Sequence, residues 1–190
     1  PGKPIAGIVF YRALVQAGNL KPVDALITAL FKQGLNPLPI YVASLKDPTS
    51  ADLVTTTLAQ VETAVILNAT GFAVSKPGSA RTETPFDGAD CPVLQVIFSG
   101  SDRESWENAT AGLSARDIAM NVALPEVDGR VLSRAVSFKA ESRFDPLTEC
   151  SIVAYEPVAN RVDFTAALAG NWARLRQTAP AERRVALILA

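Results

Sequence analysis

The 190 residues contain no histidine. That absence removes Ser-His-Asp and Cys-His catalysis from this stretch. It also removes the commonest nitrogen ligand for zinc, cobalt or nickel, so metal chemistry inside it would rest on oxygen or sulfur. Sulfur is scarce too. Cys91 and Cys150 are the only cysteines, and two thiols far apart in sequence make neither a disulfide framework nor a zinc motif. They read as reduced, mostly buried thiols. No apolar run approaches the ~20 residues needed to cross a bilayer. The opening Pro1-Gly2-Lys3-Pro4 lacks the apolar centre of a signal peptide. Cytoplasm is therefore the expected location, with no membrane partner. Basic residues do not exceed acidic ones, 18 against 19, so nucleic acid is not an expected partner either. Neither Gly-x-x-x-x-Gly-Lys-Ser/Thr nor Gly-x-Gly-x-x-Gly after a strand occurs, which excludes ATP hydrolysis and dinucleotide binding by those devices. No cofactor is expected in this segment.

What is present is a core. The chain is 48% hydrophobic and 19% charged, a globular balance. Ile5–Phe10 is continuously apolar, as a strand covered on both faces should be. Val23, Leu26, Ile27, Leu30 and Phe31 then form one helical stripe, with Pro22 near its start and Gly34 past its end. A strand over Leu38–Val42 follows. Asp47 caps a helix opened by Pro48, and Ala64–Leu67 is the third strand. This β-α-β-α-β order predicts an α/β fold with a parallel sheet and right-handed crossovers. Residues 71–90 read as a loop and Pro92–Phe98 as a fourth strand. Asp102 and Ser114 cap two short helices. Val131–Phe138 and Ser151–Tyr155 suggest an antiparallel pair turning at Asp145-Pro146. A long helix spans Asn160–Gln177, with Phe164, Leu168, Trp172 and Leu175 on one side. Two portions are expected: a Rossmann-like α/β unit over residues 1–100 and a mixed α/β remainder over 101–190. The last residues, Val185–Ala190, read as a truncated strand, which implies a chain cut from a longer polypeptide.

Ligands of open α/β sheets bind beyond the carboxyl ends of the strands. The residues there are Tyr11 and Arg12 after the first strand, Asn68 to Gly71 after the third, and Ser99 to Ser101 after the fourth. Arg12, Asn68, Thr70 and Ser99 are the candidate substrate contacts, with Arg12 as the cation for a carboxylate or amide. Ordinary strand-terminating loop chemistry competes with that reading. Pro125-Glu-Val-Asp-Gly129 is the most pointed acidic cluster. Glu126 and Asp128 either face a ligand, taking a cation or a proton, or pin a turn through backbone N–H bonds. Pinning is preferred, because the spacing alone reads as a turn with Asp128-Gly129 at its corner. No catalytic or metal-ligating residue is assigned.

Several strings resemble a known family. Asn108-Ala-Thr-Ala-Gly-Leu113 followed by Asn121-Val-Ala-Leu-Pro-Glu-Val-Asp-Gly129 is similar to the large subunits of class I chelatases. Phe10–Val15, Asn68–Val74, Pro85–Gln95 and Val136–Ala140 fit as well, so the resemblance runs over nearly the whole chain. That family holds the CobN-type cobaltochelatase and the magnesium chelatase H subunit; Phe10–Val15 and Pro85–Gln95 look more like the cobalt branch.

The resemblance implies an internal segment of a much longer subunit that binds the macrocycle. On the cobalt branch the reaction is insertion of cobalt into hydrogenobyrinic acid a,c-diamide, on the aerobic route to cobalamin. ATP and magnesium would be used by a separate AAA+ subunit, working with a third subunit. The alternatives are a magnesium chelatase segment acting on protoporphyrin IX, and a docking segment that touches no ligand. A small-molecule module unrelated to chelatases is the third reading.

Overall fold

The computed structural model describes residues 2–188. Its strands are β1 (Ile5–Tyr11), β2 (Asn36–Val42), β3 (Thr63–Asn68), β4 (Val93–Asp102), β5 (Val131–Asp145) and β6 (Cys150–Pro157). They form one sheet in the order β2-β1-β3-β4-β5-β6. β1 to β5 pair in parallel, and β6 closes the edge antiparallel to β5. The sheet crosses the boundary expected near residue 100, because β4 pairs directly with β5. The chain reverses direction across the sheet between β1 and β3. That is the switch point where open parallel sheets leave a crevice.

The helices are α1 (Arg12–Gln16), α2 (Lys21–Lys32), α3 (Pro48–Ala59), α4 (Arg103–Asn108), α5 (Ala115–Ile118), α6 (Leu124–Val127) and α7 (Ala159–Gln177). Alternation along the strands divides the core. Ile8, Phe10, Leu67 and Val96 face α2 and α7, where Leu26, Leu30, Val162 and Ala169 meet them. Val9, Ile40 and Ile66 face α3 and the loop after β3, packing on Val54, Leu58 and Phe86. Ile97, Ala135 and Phe138 pack against Trp106, Leu113 and Val122. Each Val, Leu, Ile or Phe among them, where fully buried, contributes roughly 1.5–3 kcal/mol.

Local chemistry sets the ends. The Asp47 carboxylate accepts from the Ser50 N–H at 2.9 Å and starts α3; Asp102 does the same for α4 through Ser105, at 2.7 Å. Gly34, at φ +78°, ends α2, and the Leu35 N–H returns to the Leu30 carbonyl at 3.1 Å. That is the left-handed helix stop a glycine permits.

Several expectations need correction. Pro125–Val127 is not an open turn. It lies in α6, the last part of a helical run over 115–127 whose middle, Ala119–Ala123, is π-helical. Proline has no N–H for the i→i−4 ladder, and the widened turn stands directly before it. The apolar side of α7 is not Phe164 and Leu175, which are 42% and 43% exposed. The smaller Val162, Ala166, Ala169 and Ala173 face the core and let the helix lie close to the sheet. Phe164 instead lies under the Arg134 guanidinium, 3.4 Å from the ring centre. Phe31 is likewise exposed, and Ala29 takes the buried place. β5 runs well past the expected Phe138. Cys91 is half-buried and Cys150 is exposed. Val185–Ile188 is irregular and exposed. A strand needs a neighbour for its backbone groups, and this segment pairs with none of the described residues. The rest of that expected strand, residues 189–190, lies outside them.

Candidate functional site

A groove runs along the carboxyl edge of the sheet in two chambers, of about 300 Å³ and about 520 Å³. Tyr11, Leu14, Lys139 and Tyr155 line both, which makes them the divide. β1 delivers Tyr11 at its last residue, and β5 and β6 deliver Lys139 and Tyr155 directly opposite each other in register. The smaller chamber is completed by Gly71 and Phe72 after β3, by Gly100 and Ser101 near the end of β4, and by Arg116, Asp117, Met120 and Asn121 from the helical run. Arg12 stands in the larger chamber, exposed.

The smaller chamber is held by one carboxylate. Asp117 is buried; its oxygens accept from the Ser99 hydroxyl at 2.7 Å, the Gly100 N–H at 3.2 Å and the Asn121 amide at 3.1 Å. The Ser114 hydroxyl accepts the Asp117 N–H at 3.2 Å, capping α5. The π-helical turn is thereby tied to β4. It is also docked on the loop after β3, where the Phe72 N–H donates to the Met120 carbonyl at 2.8 Å. π-helical turns occur often at functional sites. Here the widening places Met120 and Asn121 on the groove wall.

Burial raises the pKa of Tyr11 above the ordinary phenol value, although its hydrogen bond to the Gly71 carbonyl and nearby Arg130 oppose the shift. Burial does the same to Tyr155, with Asp117 adding to it and Arg116 opposing. Both phenols are therefore neutral donors at pH 7.

Behind the wall lies a second polar cluster. The Asn68 amide donates to Gln95 Oε1 at 2.8 Å and to the Thr70 carbonyl at 3.0 Å. The Thr70 hydroxyl returns to Asn68 Oδ1 at 2.9 Å. Arg130 reaches the same carbonyl and pairs with Asp128 at 2.8 Å, in a buried ion pair. Burial pulls the guanidinium pKa down while Asp128 opposes the shift. Asp128 also accepts the N–H groups of Val74 and Ser75, at 2.7 and 2.9 Å. It therefore pins the loop after β3, more than fifty positions away. A second pair, Arg81 with Asp87, closes the far end of that loop at 2.6 Å.

The six sequence candidates thus separate. Asn68 and Thr70 touch each other and join Asp128 through Arg130. Ser99 belongs to the Asp117 cluster. All four are buried, with their polar groups engaged by neighbouring protein groups. They shape the wall from behind. Arg12 alone among the six lines the groove, while Glu126 is exposed and its carboxylate has no hydrogen-bond partner among the described residues. Sequence reasoning missed Arg116, Asn121, Lys139 and Tyr155 as lining groups, and Gln95 and Arg130 as supports. Gln95 carried a signal, a lone amide inside the apolar run of β4. Lys139 and Tyr155 carried none, since their meeting depends on the β5–β6 register. Among the described residues no three Cys, Asp or Glu side chains converge as a metal site would require, and no helix is long and apolar enough to cross a membrane.

A mostly parallel sheet with helices on its faces defines an α/β domain, with a polar and aromatic groove at its switch point. Its lineage is more specific: the chain belongs to the CobN/Magnesium Chelatase family, whose model matches residues 1–190. It is 54% identical over 187 residues to the aerobic cobaltochelatase subunit CobN of Sinorhizobium sp, covering 98% of this chain and 15% of that protein. The CobN of Pseudomonas aeruginosa is 43% identical over 189 residues, 100% of this chain and 15% of its own length. The solved catalytic subunit of cobaltochelatase from Mycobacterium tuberculosis superposes with a TM-score of 0.79 at 32% identity, over 96% of this chain and 16% of that one. Magnesium-chelatase H subunits match at 24–28%. The chain thus spans about a sixth of the length of the relatives it matches.

Proposed function

We propose that this chain is a segment of the large subunit of an ATP-dependent cobaltochelatase, and that its carboxyl-edge groove forms part of the macrocycle-binding wall. The observation that carries the enzyme assignment is the gap in identity. Two CobN proteins match at 54% and 43% over nearly the whole chain, against 24–28% for magnesium-chelatase H. The groove assignment rests on position and lining. It lies at the switch point, and Tyr11, Phe72, Phe98 and Tyr155 offer ring faces, and Tyr155 a phenol donor, to a flat, heteroatom-edged ligand.

On this reading the substrate is hydrogenobyrinic acid a,c-diamide and the inserted ion is Co²⁺, a substrate rather than a resident cofactor. ATP and magnesium act on an AAA+ subunit, with a third subunit completing a cytoplasmic complex. This chain has no histidine, so any histidine ligand to the incoming ion comes from elsewhere in the subunit. The residues here bind and orient: Arg12 from the groove mouth, the Asp117 and Asp128 clusters by fixing the two loops that shape it. Glu126 has no assigned ligand contact.

Fluorescence titration of the full-length subunit with the corrin and with a porphyrin tests the reading. Ser101→Trp, which fills the smaller chamber, is expected to weaken corrin binding about tenfold or more at unchanged melting temperature. Unchanged affinity would leave the segment a docking element without ligand contact.

A further inference from the structure

The groove has a charge unlike that of the chain. Acidic residues outnumber basic ones overall, yet three cations line the two chambers, Arg116 in the smaller, Arg12 in the larger and Lys139 at the divide. Among the described residues the only carboxylate lining either chamber is Asp117. It is buried and already accepts from Ser99, Gly100 and Asn121. None of the three cations has an ion-pair partner within 4 Å among the described residues. All three are exposed, on separate elements. Asp47 is the acid that feels Arg12, and it is occupied capping α3.

Three unpaired cations spread along a groove with aromatic walls suit a ring carrying several separated anions better than one compact anion. A phosphate would call for converging donors, whereas these three cations stand on separate elements. Amide arms would be served by neutral donors and acceptors, so three free charges would add nothing for them. Charge of one sign in a cleft also steers and selects a ligand of the other.

We infer that Arg12, Arg116 and Lys139 read the free carboxylate arms of the macrocycle, so that the groove selects a ring keeping several carboxylates over its fully amidated counterpart. This rests on the macrocycle reading above and adds the basis of its selectivity. Lys139, shared by both chambers, is the central contact. The phenols of Tyr11 and Tyr155 stay protonated beside it; the Tyr11 O–H is held by the Gly71 carbonyl, and Tyr155 donates without repelling an anion.

The test uses the full-length subunit, with hydrogenobyrinic acid a,c-diamide, whose remaining arms are carboxylates, and its fully amidated counterpart as probes. Wild type is expected to bind the acid at least tenfold more tightly than the amide, and less tightly as salt rises. Lys139→Gln, Arg116→Gln and Arg12→Gln should each weaken acid binding about two- to fivefold, the range of exposed ion pairs. The triple variant should lose most of the acid preference and most of the salt dependence. Its melting temperature should stay at the wild-type value. Equal wild-type affinity for acid and amide, or an acid preference that survives in the triple variant, overturns the inference and leaves the macrocycle reading intact. Binding of neither probe overturns both.

Discussion

Gly71 lies against Asn121 so closely that a β-carbon on Gly71 would stand 2.9 Å from the asparagine Oδ1, and 3.1 Å from the Met120 carbonyl. The loop after β3 and the π-helical turn therefore meet with no room for a side chain. Gly71→Ala is expected to destabilise the protein by about 1–3 kcal/mol, the usual cost of overpacking. Asn121→Ala in the same molecule should restore part of it, because the side-chain half of the clash is gone while the carbonyl remains. Thermal melts of the two variants check this; no loss on Gly71→Ala would mean the turn is free to shift.

Asp128 and Glu126 should behave oppositely despite their spacing of two. Asp128→Ala strands the buried Arg130 guanidinium and two backbone N–H groups. Breaking a buried pair from one side costs about 3–5 kcal/mol. Glu126→Gln, at an exposed position without a partner, should stay within about 0.5 kcal/mol. Denaturant titration measures both. A large loss at Glu126 would give it a structural role that its surroundings do not supply.

The Arg81 guanidinium beside Asp87 holds the Asp87 carboxyl down at about 2. A folded pKa below the unfolded value, about 3.9, gives stability that is fully present above that value. It is lost as pH falls through the window toward 2. Asp87→Asn should therefore flatten the stability profile between about pH 4 and pH 2 and lower stability at neutral pH. An unchanged acid limb would show that the pair contributes nothing in solution.

Burial pushes the Cys91 thiol up to about 11, while Cys150 is exposed on β6. Alkylation by iodoacetamide at pH 8 should modify Cys150 well before Cys91, since the thiolate is the nucleophile. Mass spectrometry of a time course reads the order directly.

Most of the sheet is legible in the sequence because its strands are continuous apolar runs bounded by caps and prolines. The helices α2 and α3 follow from period and punctuation. What is not legible depends on packing between distant elements. α7 hides small residues and exposes Phe164, which inverts the usual reading of an apolar stripe. The π-helical turn before Pro125 has no sequence period of its own. The site divides in the same way. Arg12 is found because strand ends in open sheets face ligands. Lys139 and Tyr155 meet only through the antiparallel register of a ribbon whose length the sequence does not disclose. Arg130 is hidden among ordinary charged residues until burial singles it out.

The central claim is that the carboxyl-edge groove contacts the macrocycle. Hydrogen–deuterium exchange on the full-length subunit, with and without the corrin, tests it most directly. The account predicts ligand-dependent protection at residues 11–16, 69–72, 99–101 and 116–121, with exchange unchanged along α2, which lines neither chamber. Protection confined to other parts of the subunit, with these four segments exchanging as before, would contradict it.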